Sequence, residues 1–245
     1  MDESLKNYWK LYSKYYSNEK MIHQSHNPLR EYEDEFVDGP ILELGCGQSS
    51  FLVELSKSGR EIFAVDNENL QLQALNKRIA EYSSPDLGKI HLLNLTIPKN
   101  NLPEKKFAVV IMSDFLHFFT MNDSKALISE IAERTSKGSL IYIRVHSKKH
   151  SYNNPSYPDI SDYFKHFFSQ EDLDVLFNHA DFECLTCSEN KQFVKSKYEH
   201  TMEVEWFTGL LDQEGITDPE ERENAIHENT SEIVDAWITC IYRRK

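Results

Sequence analysis

The sequence predicts an α/β fold, a doubly wound and mostly parallel sheet of seven strands preceded by a helical segment. Three observations carry this. Short apolar runs alternate with helix-period segments from about residue 41 to residue 187. The links between them are short and rich in Gly, Ser and Asp. The run Phe107–Met112 is apolar throughout, as expected of a strand covered on both faces. Strict alternation with short links means parallel strands joined by right-handed crossovers.

The elements follow in order. Residues 4–20 place Leu5, Tyr8, Trp9, Tyr12, Tyr15 and Tyr16 at helical spacing, with charged residues on the other face. HNPLREYEDEF, residues 26–36, reads as a loop into a short polar helix, and Asp38-Gly39-Pro40 punctuates it. Ile41–Leu44 is the first strand. Ser49 or Ser50 caps a helix running to about Ser58, and Ser58-Gly59 stops it. Glu61–Val65 is the second strand, Asn67–Glu81 a helix, Lys89–Leu95 the third strand and Phe107–Met112 the fourth. Met121–Thr135 is a helix turned by Lys137-Gly138 into a fifth strand, Ser139–Val145. Gln170–Ala180 is a helix, Phe182–Cys187 the sixth strand and Trp237–Tyr242 the last. Residues 212–235 carry nine acidic side chains and one Arg, which reads as a solvated helical insertion. The expected organisation is a helical lid over residues 1–38, a core over 39–190, an acidic insertion over 191–232 and a final core strand over 233–245.

The chain has 245 residues and a net charge of −13, from 40 acidic against 27 basic side chains. Such a surface repels phosphate backbones and anionic lipid heads, so no nucleic-acid or membrane partner is expected. Four cysteines, Cys46, Cys184, Cys187 and Cys240, make no disulfide framework for this length and are expected to be reduced thiols of a cytoplasmic protein. The oligomeric state leaves no mark in the sequence.

The chemistry concentrates in ILELGCGQSS, Ile41–Ser50. A strand runs into Gly45-Cys46-Gly47 and then into a helix cap. In an open parallel sheet, ligands bind at the carboxyl ends of the strands beside the first one. Gly45 and Gly47 allow a sharp bend and a close backbone approach, and the next helix offers free N–H groups. Ser50 stands where a dinucleotide fingerprint wants its third glycine. Glu43, two residues before Gly45, suits an ammonium group better than a phosphate. The second strand ends in Asp66, nineteen residues after Gly47, where a carboxylate can accept both ribose hydroxyls, cap the following helix, or do both. The third strand ends in Asn94-Leu95, an amide beside a backbone N–H expected to be free for an adenine edge.

ILELGCGQS, AVDNE, LLNLTIP, FAVVIMSDFLHFF and SKGSLIYIRV, in this order and spacing, resemble the class I S-adenosylmethionine-dependent methyltransferases, over residues 39–187 and the final strand. The resemblance implies a Rossmann-like fold and S-adenosylmethionine as cofactor. It also implies that Glu43, Gly45, Cys46 and Gly47 line the methionine part and that Asp66 binds the ribose. Asn67, Asn94 and Leu95 would meet the adenine, and Ser113 would lie under the sulfonium. The sequence departs from the family at Ser49, usually glycine, and at Asn94, usually aspartate.

Other features divide between chemistry and packing. Asn154-Pro155-Ser156-Tyr157 imitates a signature of amino-methylating DNA enzymes, but it follows the fifth strand instead of the fourth. Cys184 and Cys187, three apart on a strand, point to opposite faces and read as packing. His117 is a candidate catalytic group or a packed one. His146, with His150 after it, is a candidate general base or part of a solvated loop. Arg144 is expected at the substrate, and Tyr8, Trp9, Tyr12 and Tyr16 form either a lid over it or a core. Methyl transfer from a sulfonium is in-line, so the enzyme mainly aligns the nucleophile, with a base needed only for a protonated one. A small molecule methylated on O or N in a closed pocket, without a metal, is the leading expectation, and Tyr8, Trp9, Tyr12 and Tyr15 suit one of aromatic or cationic character. A protein substrate, a non-catalytic cofactor-binding module and a nicotinamide oxidoreductase are the alternatives.

Overall fold

A computed structural model of the chain describes residues 3–16, 28–82, 89–153, 163–192, 197–230 and 235–245. Its helices there are α1 (Glu3–Tyr16), α2 (Ser50–Leu55), α3 (Asn69–Tyr82), α4 (Met121–Glu133), α5 (Gln170–Leu176), α6 (Lys197–Gln213) and α7 (Pro219–Thr230). The chain divides into two units, Asn27–Asn190 with Ala236–Lys245, and Met1–His26 with Lys191–Asp235. The Asn154–Tyr157 motif lies outside the described residues.

The larger unit is built on one seven-stranded sheet. Its strands are β1 (Ile41–Leu44), β2 (Ile62–Asp66), β3 (Ile90–Asn94), β4 (Phe107–Ser113), β5 (Thr135–His146), β6 (Phe182–Gln192) and β7 (Asp235–Arg244). The order across the sheet is β3-β2-β1-β4-β5-β7-β6. β1 pairs in parallel with β2 and β4, β2 with β3, and β4 with β5, while β7 runs antiparallel to β5. The doubly wound, mostly parallel architecture is the expected one. The order reverses between β1 and β4, which is where such sheets open a crevice.

Alternation along each strand feeds two cores. Ile41, Ile62, Ala64, Val109 and Ile111 pack with Leu52, Val53 and Leu55 of α2 and Leu72, Leu75 and Ile79 of α3. Leu42, Leu44, Val65, Val110 and Met112 pack with Leu127, Ile128 and Ile131 of α4 and Leu173 and Leu176 of α5. Each such aliphatic side chain contributes roughly 1.5–3 kcal/mol by leaving water. The helix starts are set by side chains: the Thr120 hydroxyl accepts the Asp123 N–H at 3.2 Å, and Ser169 with Asp172 forms a capping box.

Several boundaries differ from the expected ones, each for a local reason. α5 stops at Leu176 because the Asn178 side chain takes the N–H groups of Ala180 and Asp181. Lys137-Gly138 does not interrupt the sheet; β5 starts at Thr135, with Gly138 at φ 90° and a register shift between Phe107 and Val109. The segment expected as one piece over residues 1–38 divides between the two units. The 3-10 helix Pro28–Glu35 belongs to the sheet unit, buries Leu29, and is followed by carbonyls of Phe36, Val37 and Gly39 that the Arg60 guanidinium holds at 2.7–3.2 Å. Cys187 of β6 and Cys240 of β7 are placed as a disulfide with Cα atoms 4.1 Å apart, which corrects the expectation of four reduced thiols. Cys184 lies on the other face, as the spacing required, but it is exposed and not packed in the core as expected.

In the smaller unit, α1 lies along α6 and α6 along α7. Tyr8 meets Trp206 edge-on at 5.2 Å, and Glu205 takes both the Lys14 ammonium at 2.7 Å and the Tyr15 hydroxyl at 2.5 Å. No described helix is long and apolar enough to cross a membrane.

Candidate functional site

The sheet register assembles the site. Asp66 pairs with Asn94, and Ser113 with Arg144, which in turn faces Thr239. Glu43 pairs with Ala64 on one side and Ile111 on the other, so Gly45, one register step beyond β1, falls between Asp66 and Ser113. Partner residues in a sheet share a face. A polar row therefore crosses the carboxyl ends of the strands from Asn94 through Asp66, the glycine loop and Ser113 to Arg144 and Thr239.

The loop is a built turn. Gly45 and Gly47 adopt φ 65° and 48°, in the left-handed region. The Cys46 N–H donates to the Val65 carbonyl at 3.0 Å, and its own carbonyl accepts from Ser49 N–H at 2.9 Å. The Cys46 thiol is buried in the core and its pKa is pushed well up, so only its backbone faces the loop. The two glycines differ in purpose. A Cβ on Gly45 would lie 2.4 Å from the Phe115 ring, whereas one on Gly47 would meet nothing within 4 Å. Gly45 thus makes room for an aromatic side chain, and Gly47 faces open space.

Two carboxylates flank this turn. Asp66 accepts from Gly47 N–H and from Glu68 N–H, each at 2.9 Å. Burial raises its carboxyl pKa, against the lowering effect of those bonds. Glu43 is buried, and burial pushes its carboxyl up to about 8, the Ser49 hydroxyl bond pulling down and the Asp66 charge pushing further up. Ser49, which departs from the usual glycine, has two roles. Its hydroxyl donates to Glu43 at 2.6 Å and accepts from Leu52 N–H at 3.1 Å, capping α2. Beneath the loop, the Arg78 guanidinium holds the Gln48 carbonyl, and Gln48 donates to Gln71 at 3.0 Å.

At the ends of β2 and β3, Asn67 and Asn94 are exposed. The Leu95 N–H is not free as expected. It donates to the Asp66 carbonyl at 3.0 Å, extending the β2–β3 ladder, and the Asn94 amide reaches the same oxygen at 3.3 Å.

On the other side of the loop, Ser113 donates to Asp114 at 3.1 Å. Asp114 has φ 53°, the one left-handed non-glycine among the described residues, and its N–H bonds the Arg144 carbonyl at 2.9 Å. The Arg144 Nε lies 3.4 Å from the Asp114 carboxylate, and its guanidinium stands over the Trp237 ring at 4.5 Å. His117, His146 and His150 stack in series, with centroids 3.9 and 4.3 Å apart. His117 is buried against Phe118 and Phe164, accepts the His146 backbone N–H at 3.4 Å, and burial pushes its pKa down to about 3. Its surroundings are those of a packed imidazole, the second of the two roles considered above. His146 is half-buried at the strand end, opposite Trp237. Tyr8, Trp9 and Tyr12 pack ring to ring, Tyr8 also meets Trp206 of α6, and all three side chains are half-buried. The Tyr16 side chain falls outside the described residues.

A family model described as a methyltransferase domain matches residues 16–186, well over half of the chain. The chain belongs to the S-adenosylmethionine-dependent methyltransferases. No curated protein matches the sequence significantly. Among solved structures, this methyltransferase is similar to TehB from Haemophilus influenzae, with 18% identity, a TM-score of 0.64, and coverage of 95% of this chain and 67% of TehB. It is similar to an S-adenosylmethionine-dependent methyltransferase from Methanosarcina mazei, with 13% identity, a TM-score of 0.56, and coverage of 89% and 98%. It is also similar to a phosphoethanolamine N-methyltransferase from Haemonchus contortus, with 12% identity and a TM-score of 0.61, covering 96% of this chain but 56% of that enzyme. These likenesses carry the fold. The methyltransferase family replaces the nicotinamide and non-catalytic alternatives.

The donor set fits the cofactor. Gly47 leaves the loop wall clear, and Glu43 and Asp66 bring two acidic side chains beside it, groups of the kind that accept from an ammonium or from sugar hydroxyls. Asp114, Phe115, Trp237 and the Gln48–Gln71–Arg78 anchor escaped sequence reasoning. Only Ser49 carried a visible signal, as a cap residue at a helix start.

Proposed function

We propose that this methyltransferase methylates a small-molecule oxygen or nitrogen nucleophile by in-line displacement. In this reading, Asp66 accepts the ribose hydroxyls, Glu43 faces the amino-acid part of the cofactor, and Gly45, Cys46 and Gly47 wall it with backbone. Asn67, Asn94 and the Leu95 side chain border the adenine. S-adenosylmethionine, when bound, supplies an electrophilic methyl. The chain's own task is then to hold the nucleophile in line with that methyl and to keep water away. Ser113 and Arg144 do the holding, and His146 takes the proton from a nucleophile that arrives protonated.

The observation that supports this reading is the continuous row from Asp66 through Gly45 to Ser113 and Arg144, in which the residues read here as the cofactor half adjoin those read as the acceptor half. A second reading, a basic protein as acceptor, is favoured by the exposed acidic face of α7, whose first turn carries Glu220 and Glu221. Methyl transfer from labelled S-adenosylmethionine to a panel of small nucleophiles and to basic peptides separates the two. Turnover confined to small molecules supports the first reading, and turnover confined to peptides contradicts it.

A further inference from the structure

The acceptor half of the row has a charge arrangement that packing does not require. Arg144 is half-buried, yet its guanidinium makes no hydrogen bond among the described residues, and its Nε is shielded from solvent without a partner. Asp114 is its nearest opposite charge, but at 3.4 Å the contact is an ion pair without a hydrogen bond. The guanidinium plane is instead fixed by the Trp237 ring at 4.5 Å. The rest of the guanidinium is open to solvent, the side chain being 38% exposed, and its planar set of donors is suited to two-point contacts with oxyanions. Asp114 stays beside it on a left-handed backbone. Strained residues of that kind cluster at ligand sites, and Asp tolerates the conformation better than most residues.

Resting on the methyltransferase reading above, we infer that the methyl acceptor carries an oxyanion, a carboxylate or a phosphate, and that Arg144 on Trp237 is its receptor. Asp114 is a positioning residue. It holds the guanidinium at the strand end when no acceptor is bound and yields to the stronger, hydrogen-bonded anion. On a chain of net charge −13, a local cation is also what admits an anionic small molecule to the sheet edge.

The test uses the full chain with 15N-labelled arginine. The Arg144 Nε–H resonance is assigned as the one missing from Arg144→Gln, and inorganic phosphate and acetate are titrated separately. A saturable shift of that resonance supports the receptor: with phosphate it points to a phosphate-bearing acceptor, with acetate to a carboxylate. Asp114→Asn keeps a residue that tolerates the left-handed backbone and removes the competing charge, so it should tighten the same anion by at least roughly threefold. If the Arg144 resonance moves no more than that of exposed Arg30 with either anion, or if Asp114→Asn weakens binding, the inference is overturned. S-adenosylhomocysteine is titrated into the same wild-type sample. Its uptake beside a silent Arg144 rejects the receptor alone, whereas absence of uptake rejects the methyltransferase reading beneath it.

Discussion

The Gly47 backbone N–H donates to the Asp66 carboxylate at 2.9 Å, so the turn after β1 is tied to the end of β2. The second oxygen of the same carboxylate accepts from Glu68 N–H and fixes the approach to α3. One side chain thus sets the geometry of both loops that meet at the sheet's switch point, and its remaining lone pairs are directed by backbone already in place. A site organised in this way needs little rearrangement to receive a ligand.

The two loop glycines should respond differently to substitution. Gly47→Ala meets open space and carries only the left-handed backbone penalty, about 1–2 kcal/mol. Gly45→Ala carries that penalty and also drives a Cβ to 2.4 Å from the Phe115 ring. Urea unfolding should rank Gly45→Ala as the less stable by more than about 1 kcal/mol, the usual scale of overpacking. Equal midpoints would mean that Phe115 does not fill the space beside Gly45.

Glu43 should make the ligand-free protein less stable as pH rises. Its folded pKa, about 8, lies above the unfolded value near 4.5, so the folded state holds the extra proton between those values. Stability from this group is complete below the unfolded pKa and is lost as pH climbs through the folded one. Glu43→Gln keeps an acceptor for the Ser49 hydroxyl and removes the ionisation. Thermal unfolding from pH 5 to 8 should show a falling wild-type curve and a flatter variant curve, diverging by an amount on the order of one or a few kcal/mol. Parallel curves would place Glu43 in a solvated setting.

His117 should act in the opposite direction. Its folded pKa, about 3, lies below the unfolded 6.5, so its contribution is complete above 6.5 and is lost as pH falls toward 3. His117→Gln should be less stable than wild type at pH 8, through lost ring packing, yet decline less steeply from pH 6.5 to 4. An unchanged acid slope would show that His117 is reached by water.

Much of this was legible in the sequence. The strands announced themselves because a parallel sheet buries both faces, and FAVVIM can serve little else. The loop announced itself because two glycines directly after a buried strand have few structural excuses, and Asp66 because an apolar run ends on it. Pairings made by register were not legible. Nothing local says that Ser113 meets Arg144, or that Phe115 fills the space beside Gly45, since each contact joins separate elements. The Leu95 N–H was misjudged for the same reason: whether a strand-end donor is free depends on how far its neighbour runs, and β2 runs as far as Asp66. The tyrosine stripe could be read as a lid or a core because helical spacing does not name the partner, here Trp206 of α6.

The central claim is that Asp66 grips the cofactor's sugar beside the Gly45–Gly47 turn. Titration calorimetry of S-adenosylhomocysteine into wild type, Asp66→Asn and Asp66→Ala tests it most directly. Removing a charged acceptor costs roughly 1.5–3 kcal/mol, so Asp66→Ala should bind about ten- to a hundredfold more weakly, with Asp66→Asn in between. Wild-type affinity in a folded Asp66→Ala protein would contradict the claim.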